Sequence, residues 1–126
     1  MELKNIKGLR LAVVGSRVFD NYELLANTLE GYRDKVGLVV SGGADGADKL
    51  GEQWADRNRI PKLIFPADCN THGKATGFIR NQYIVNNADA GVAFWDNKSK
   101  GTLSTIKLFE KAEKPVKTVI HEELPF

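Results

Sequence analysis

The residues of this sequence best suited to chemistry are glycines, hydroxyl residues and cations in three short stretches, each directly after an apolar run. The stretches are Gly15-Ser16-Arg17, Ser41 to Asp48, and Asp96 to Thr105. A glycine turn between a strand and a helix directs backbone N–H groups and the positive end of the helix dipole toward one point. Arginine adds paired N–H donors that suit phosphate oxygens. The combination predicts an anion site, and a phosphate-bearing ligand is the expected occupant.

Each stretch also has a purely structural interpretation. Residues 15–17 form an ordinary turn with a solvated arginine on that interpretation, and the small residues of 41–48 let a helix pack close to the sheet. Thr102 is a candidate N-cap of the helix that follows it. Arg80 lies in an otherwise apolar stretch, and it is either a salt-bridge partner at the edge of the core or a clamp on the ligand.

Several common sites are absent from the sequence. Ser41 replaces the first glycine of the dinucleotide fingerprint G-x-G-x-x-G, and the stretch follows the second apolar run, so a standard NAD site is not expected. Neither G-x-x-x-x-G-K-[ST] nor G-x-S-x-G occurs, which excludes a P-loop hydrolase and a serine-hydrolase elbow. His72 and His121 have no partners at metal-ligand spacing, and Cys69 is expected to pack as a small hydrophobe. No metal and no cofactor are predicted.

The bulk composition favours a soluble cytoplasmic protein. Charged residues number 18 basic and 16 acidic, and a net charge of +2 disfavours nucleic acid as the main partner. The single cysteine permits no intrachain disulfide, which fits a reducing compartment. No leader and no membrane-spanning run are recognised in the sequence.

Apolar runs and helical spacing alternate along the whole chain. Five near-continuous apolar runs predict buried strands at residues 9–14, 38–40, 62–65, 91–95 and 116–120. Helices are expected between them: after an Asp20-x-x-Glu23 capping box, from Ala47 to Trp54, from Lys74 to Asn87, and from about Leu103 to Ala112. This alternation predicts an α/β fold: one Rossmann-like three-layer domain over 1–126, with its core at about 9–120. The expected five-stranded parallel sheet has the order 3-2-1-4-5, and residues from Glu122 form a short tail.

Ligands of such sheets bind outside the carboxyl ends of the strands, where the strand order reverses. That edge collects the loops after the first, second and fourth strands. Trp95, at a strand end, is a candidate for stacking on a base. The predicted ligand-binding residues are Gly15, Ser16, Arg17, Ser41, Gly42, Gly43, Asp45, Asp48, Arg80, Asn81, Trp95, Lys98, Gly101 and Thr102.

The chain resembles the SLOG superfamily, and more closely its small single-domain YspA-like members (the DUF2493 group). The motifs that carry the resemblance occur in the same order from about residue 9 to 119: Gly15-Ser16-Arg17-x-Phe19, Ser41 to Asp48, Pro66-Ala67-Asp68, Gly73-Lys74-Ala75, Arg80-Asn81, Ala88-Asp89 and Gly101-Thr102. The resemblance implies a Rossmann-like fold that binds nucleotides or nucleotide-derived ligands. It also implies pairing into a homo-oligomer through helices.

Two positions depart from the family pattern. Cys69 stands where the group usually has tryptophan, so one wall of the pocket is expected to differ. The cytokinin-activating phosphoribohydrolases of the superfamily carry a catalytic glutamate in Pro-Gly-Gly-x-Gly-Thr-x-x-Glu, and alignment on Gly101-Thr102 puts Thr105 at that position. Threonine cannot supply the carboxylate, so that mechanism does not transfer intact.

Three functions follow from these observations. The favoured hypothesis is a protein that senses or sequesters a nucleotide-derived ligand, either ADP-ribose-like or a nucleoside monophosphate, with Asp45 or Asp48 near the ribose. The alternative is an enzyme that hydrolyses the N-glycosidic bond of a nucleotide, with Asp20, Asp45, Asp89 or Asp96 as its carboxylate. Single-stranded DNA binding is a third and less favoured hypothesis.

Overall fold

Five parallel strands form the centre of the molecule. The computed structural model describes residues 8–66 and 76–121, with the backbone alone at residues 76–78. The strands are β1 (Leu9–Gly15), β2 (Val36–Ser41), β3 (Lys62–Ile64), β4 (Ala90–Trp95) and β5 (Val116–Ile120). They pair in the order β3-β2-β1-β4-β5 with every pair parallel. The predicted strand order is therefore confirmed.

Within the described residues, four helices cover the two faces of this sheet. They are α1 (Tyr22–Glu30), α2 (Ala47–Arg57), α3 (Thr76–Asn86) and α4 (Lys100–Lys111). Helices α1 and α2 bury Leu25, Leu29 and Trp54 against one face, where they join Leu11 and Val13 of β1 in one apolar cluster. On the other face α3 and α4 bury a second cluster, which includes Ile84, Phe109, Ala12 and Val14. Residues of β1 thus alternate between two cores, which explains why the strand reads as a continuous apolar run.

The pairing of β1 with β4 positions the site. These strands are far apart in sequence, yet Val13 pairs with Val92 and Gly15 with Phe94. The chain leaves β1 toward α1 on one face and leaves β4 toward α4 on the other. A crevice therefore opens between the two loops at the carboxyl edge, as expected where strand order reverses.

Two helix starts differ from the sequence prediction. The N-cap of α1 is Asn21, whose side chain accepts a hydrogen bond from the Leu24 N–H at 3.0 Å, so the helix begins one residue later than an Asp20 cap would allow. Helix α4 is capped by Ser99 instead of Thr102, because the hydroxyl of Ser99 accepts from the Thr102 N–H. Thr102 consequently lies inside the first turn of α4, with its side chain at the crevice.

Some expectations fall on parts of the chain outside the described residues. They concern Cys69, His72, residues 73–75 and the tail from Glu122. Within the described ranges, none of the helices has the length and apolar character needed to span a membrane.

Candidate functional site

A cavity of about 350 Å³ lies at the carboxyl edge of the sheet, between the ends of β1 and β4. It lies at the lower end of the usual size range of small-molecule pockets. Two arginines, two carboxylates and the first turn of α4 meet there around a small apolar floor. The lining residues are Val14, Gly15, Ser16, Arg17, Val18, Ala44, Asp48, Arg80, Asn81, Ile84, Asp96, Ser99, Gly101, Thr102 and Thr105.

A second cavity of about 300 Å³ adjoins the first on the β2 side. The two share Arg17, Ala44 and Arg80, so they form one continuous crevice with the arginines at the junction. The second cavity is lined further by Gly42, Gly43, Asp45 and Pro66. Most residues predicted from the three sequence stretches thus meet at one crevice.

Close backbone contacts hold the loop after β1. A Cβ atom on Gly15 would overlap the Phe94 carbonyl oxygen and approach the Ala47 Cβ at 2.7 Å, so this position needs glycine. The Ser16 N–H donates to the Phe94 carbonyl at 3.0 Å, and the Ser16 side chain is only 1% exposed. Arg17 is exposed at the rim of the crevice. The loop therefore presents one fixed hydroxyl and one exposed guanidinium.

The loop after β2 contains an anion of its own. The Asp48 carboxylate accepts from the Gly42 N–H at 3.0 Å and from the Ala44 N–H at 3.4 Å through the same oxygen. The Gly43 N–H donates to the Ser41 hydroxyl at 3.1 Å, and that hydroxyl donates to Glu52 at 2.7 Å. The backbone N–H groups of Gly42, Gly43 and Ala44, which the sequence analysis expects to face a phosphate, are thus hydrogen-bonded within the protein.

Close packing explains another glycine of this loop. Gly46 has a positive φ of 80°, and a Cβ there would overlap the carbonyl oxygen of Ser16. The structural interpretation of the glycines therefore holds at Gly46, where the β1 and β2 loops touch. Both loops are fixed relative to each other by this contact and by the hydrogen bond from the Ala47 N–H to the Ser16 carbonyl.

Arg80 bridges two walls of the crevice. Its Nη1 donates to the Gly42 carbonyl at 2.9 Å, and its Nε donates to the Asn81 Oδ1 at 2.9 Å. A Cβ on Gly42 would overlap the Arg80 Nη1 and lie 2.7 Å from the Asp48 Oδ2. The guanidinium and the carboxylate therefore both crowd against Gly42, and Arg80 lines both cavities.

The two carboxylates of the main cavity have opposite pKa shifts. Burial raises the pKa of Asp48 to about 6, against the opposing effects of the Arg80 charge and the two loop amides. Burial also acts to raise the pKa of Asp96, but hydrogen bonds from the backbone N–H groups of Ser99 and Lys98 outweigh it and lower that pKa. One group is thus poised to carry a proton near neutral pH, and the other is ionised.

The first turn of α4 offers open space at Gly101. Asp96 accepts from the Ser99 N–H at 2.8 Å and from the Lys98 N–H at 2.9 Å, which fixes the turn that starts the helix. A Cβ built on Gly101 meets nothing within 4 Å. Thr105 bonds to the Gly101 carbonyl at 3.1 Å and is buried at the cavity wall.

Several predicted site residues lie elsewhere. Trp95 donates from its ring N–H to the Ser99 carbonyl at 3.0 Å and packs with the second core cluster, and Lys98 is exposed. Neither is among the described residues that line the two cavities. Ser41 lies beneath the loop, bonded to Glu52.

The four aspartates considered as catalytic carboxylates are not brought together. Asp96 lines the main cavity and Asp45 the second one. Asp20 is exposed and lines neither. Asp89 precedes β4 at the opposite edge of the sheet, in an ion pair with Arg10 at 2.8 Å.

The sequence analysis did not predict that Glu52 and His121 would contact residues of the site. Glu52 is four residues after Asp48 on α2, so helical spacing alone could have flagged the pair of buried carboxylates. His121 follows β5, and its Nε2 lies 3.3 Å from the Ser16 Oγ. No local signal links two residues so far apart in sequence. Among the described residues, no group of three His, Cys, Asp or Glu side chains is placed to hold a metal ion.

The sequence matches one protein family and is similar to one curated protein. Residues 9–72, about half of the chain, match the family described as "YspA, cpYpsA-related SLOG family". The chain is also 37% identical over 118 residues to the Gene 61 protein of Mycobacterium phage D29, in an alignment that covers 85% of this chain and 93% of that protein.

Solved structures with the same fold belong to larger proteins. DNA processing protein A (DprA) from Streptococcus pneumoniae superposes with a TM-score of 0.77 at 18% identity, over 98% of this chain and 53% of that one. DprA from Helicobacter pylori, described for its single-stranded DNA binding mode, gives a TM-score of 0.68 at 18% identity, over 98% and 69%. The chain thus spans about half the length of the Streptococcus protein.

Proposed function

The chain belongs to the YspA, cpYpsA-related SLOG family, and on that premise we propose that it binds a nucleotide-derived ligand through a phosphate group at the carboxyl edge of its sheet. The ligand class is a nucleoside monophosphate or an ADP-ribose-like molecule, held for sensing or sequestration. The observation that carries the proposal is the shared lining of the main cavity by Arg17, Arg80 and the open first turn of α4.

We place the phosphate by comparing the bonded amides of the β2 loop with the open space at the start of α4. The amides of Gly42, Gly43 and Ala44 are bonded within the protein. The α4 turn combines the positive end of a helix dipole with open space at Gly101. We therefore assign the phosphate to the α4 turn and the two arginines, and we assign a supporting role to the β2 loop.

Calorimetric titration with AMP and ADP-ribose tests this proposal. Loss of an arginine that bonds to phosphate removes a charge-assisted hydrogen bond, so Arg17→Ala should weaken binding by about 10- to 100-fold. The matched control is Arg33→Ala. Arg33 is an arginine before β2 that pairs with Glu30 at 3.3 Å and lines neither cavity. Equal affinities of the two variants, or no binding by the wild type, would overturn the proposal.

A second candidate function is hydrolysis of an N-glycosidic bond in such a ligand. It is favoured by one observation: Asp48 and Asp96 line one cavity with pKa values shifted in opposite directions. Such pairs are typical of a general acid and its ionised partner. Incubation with AMP, ADP-ribose and NAD should release free base or nicotinamide, and Asp96→Asn should abolish the release. Intact ligand after prolonged incubation would exclude this reaction.

Single-stranded DNA is the ligand suggested by the Helicobacter neighbour. The described chain has a fold in common with it, but the net charge of the whole sequence is only +2. A short oligonucleotide belongs in the same titrations. Binding tighter than that of AMP, with an affinity that falls steeply with salt, would favour DNA over the free nucleotide.

A homo-oligomer is also proposed, because the resemblance to SLOG proteins implies pairing through helices. Tyr83 of α3 is 50% exposed and stacks on Phe65 at 5.9 Å between ring centroids, which leaves an aromatic surface on that side. Sedimentation velocity of the wild type and of Tyr83→Lys would test it. A wild-type protein that sediments as a monomer would exclude the oligomer.

A further inference from the structure

The main cavity balances its own charges before a ligand enters. Its described lining carries four ionisable side chains, which are the arginines Arg17 and Arg80 and the carboxylates Asp48 and Asp96. When all four are ionised, their formal charges cancel. A phosphate group brings about 1.5 to 2 further negative charges. The filled cavity therefore carries an excess of negative charge unless one of its carboxylates takes up a proton.

The surroundings of the two carboxylates decide which of them is protonated more easily. Asp96 is only partly buried, and it accepts hydrogen bonds of 2.8 and 2.9 Å from two backbone N–H groups. Asp48 is almost fully buried, and its two bonds from backbone N–H groups are longer, at 3.0 and 3.4 Å. Burial penalises the charged form of a carboxyl group, and short bonds to its oxygens favour that form. Asp48 is therefore the group that an additional anion protonates first.

Asp48 shares α2 with two other charged side chains. Glu52, one turn further along the helix, is buried, and its Oε1 lies 3.8 Å from the exposed Lys49 Nζ. Its Oε2 accepts from the Ser41 hydroxyl at 2.7 Å. The negative charge of Glu52 adds to the burial that opposes ionisation of Asp48. Asp45, in the loop before the helix, is exposed, so solvent screens its charge.

Charged groups on the neighbouring elements face Asp48 from the cavity. Arg80 of α3 favours the ionised carboxylate, although its Nε and Nη1 donate to other groups. Arg17 and Asp96 line the same cavity after β1 and β4, and His121 contacts a residue of the cavity wall from the end of β5. A phosphate that bonds to Arg80 neutralises the cation that most favours ionised Asp48.

The carboxyl group of Asp48 has a place for the proton. Both loop amides donate to its Oδ2. Among the described residues no hydrogen bond uses Oδ1, so a proton can be added there while both amide bonds are kept. A protonated Oδ1 is a donor, and a phosphate oxygen in the cavity is an acceptor for it. Burial already raises the pKa of Asp48 to about 6, so a modest further rise protonates the group near neutral pH.

We propose that the cavity binds its phosphate-bearing ligand together with a proton, which Asp48 takes up from solvent. Proton uptake restores the charge balance of the filled cavity and converts a carboxylate that repels phosphate into a hydrogen-bond donor. The affinity is therefore greatest at acidic pH, and it falls as pH rises through the range in which Asp48 of the ligand-free protein loses its proton. The inference rests on the proposed function for the ligand, and it adds the regulation of binding by pH.

ADP-ribose is the suitable probe, because its own ionisation does not change near neutral pH. AMP carries a phosphate monoester with a second pKa of about 6, and its titration would mask the proton taken up by the protein. Both phosphates of ADP-ribose are linked on two sides and stay fully ionised.

Calorimetric titration with ADP-ribose at about pH 7, in two buffers of different ionisation enthalpy, counts the protons taken up. Asp48 of the ligand-free protein is about nine-tenths ionised at this pH, so uptake of about 0.4 to 0.9 proton per ligand is expected. Between about pH 6 and 8 the Kd should rise by up to about 10-fold per pH unit. Asp48→Asn keeps an acceptor oxygen for the two loop amides. This variant should bind with an affinity independent of pH and a heat independent of the buffer.

Asp89→Asn is the matched control, since this carboxylate pairs with Arg10 at the opposite edge of the sheet. It should take up protons as the wild type does. A second readout needs no variant: carboxyl-carbon NMR titration of Asp48 should show a pKa that is higher by at least about one pH unit with ADP-ribose bound, because the coupling of ligand and proton is reciprocal.

The outcomes separate this proposal from the proposed function. A binding heat that does not depend on the buffer, or proton uptake that persists in Asp48→Asn, would overturn the coupling and leave nucleotide binding intact. In the second case another group at the cavity, such as Asp96 or His121, takes the proton. A wild type that binds neither ADP-ribose nor AMP would overturn the proposed function and the coupling with it.

Discussion

The Asp48 carboxylate accepts the backbone N–H of Gly42 at 3.0 Å, so the glycine loop after β2 encloses an anion that the protein itself supplies. The same oxygen accepts from Ala44. Amides arranged in this way form the kind of nest that binds phosphates in other proteins. The charge is buried, since Asp48 is 4% exposed, and it stands beside Glu52 on the same helix. The Asp48 carboxylate thus orders the loop, but burying its charge beside Glu52 costs free energy.

That cost predicts a pH-dependent stability. The pKa of Asp48 is raised from 3.8 to about 6, so the folded protein binds a proton that the unfolded chain has lost between these values. The free energy of unfolding should therefore fall as pH rises through this window, by about 3 kcal/mol at roughly 1.4 kcal/mol per unit. Asp48→Asn should flatten this part of the profile and be more stable than the wild type above pH ~6. Urea denaturation at a series of pH values measures both effects.

The matched control for this prediction is Asp45→Asn. Asp45 belongs to the same loop but is exposed. Its replacement should leave the slope between pH ~4 and ~6 as in the wild type. A pH dependence of the unfolding free energy that persists in Asp48→Asn and disappears in Asp45→Asn would contradict the prediction that Asp48 is its cause.

Gly42→Ala should destabilise the site by crowding. The added methyl would lie 2.7 Å from the Asp48 Oδ2 and 2.9 Å from the Arg80 Cζ. Arg80 must then move and lose its bond to the Gly42 carbonyl. We expect a loss of about 1–3 kcal/mol in the free energy of unfolding, as for other overpacked sites. Thermal denaturation measures it, and an unchanged midpoint would show that Arg80 yields without cost.

Gly101→Ala should act in the opposite direction on stability. Nothing lies within 4 Å of the added methyl, and alanine is the better helix former in α4, so a gain of about 0.5–1 kcal/mol is expected. AMP affinity should fall in calorimetric titration, because the methyl occupies space at the end of the cavity where we propose that the phosphate binds. Gly31→Ala is the control: its methyl also meets nothing, at the right-handed C-cap of α1. It should stabilise the protein without changing affinity, and an equal affinity of both variants would contradict the assignment of the phosphate to α4.

Replacement of Asp89 should affect stability and not ligand binding. Hydrogen bonds from the Arg10 side chain hold the pKa of Asp89 below its ordinary value, so this pair stabilises the fold at neutral pH and is lost as pH falls. The pair is partly exposed, so Asp89→Asn should cost only about 0.5–1 kcal/mol. Denaturation and AMP titration on one sample measure the two effects. A lost ligand affinity would place Asp89 in a functional role that its position does not support.

The fold could be predicted from the sequence because its signals are local. Continuous apolar runs such as those of β1 and β4 identify buried parallel strands, and their alternation with helical spacing determines the layers. The helix starts do not follow from the same signals, because Asn21 and Ser99 compete as caps with Asp20 and Thr102. Single residues decide such boundaries.

The site could be predicted only in part. Glycine spacing indicates the nest after β2 and Asp48 belongs to the same stretch, but the sequence analysis placed this carboxylate near a ribose and not on the amides of Gly42 and Ala44. Topology likewise decides that Asp89 and Asp96, at the two ends of β4, lie at opposite edges. His121 was missed because its partner Ser16 is 105 residues away.

The pairing of β1 with β4 has a consequence for biosynthesis. A ribosome releases β1, β2 and the Asp48 loop well before it has made the α4 turn that forms the opposite wall of the cavity. A chain that ends before β4 therefore lacks the wall that α4 gives the main cavity. Any ligand that uses both walls can bind only after β4 has paired with β1 and α4 has followed it.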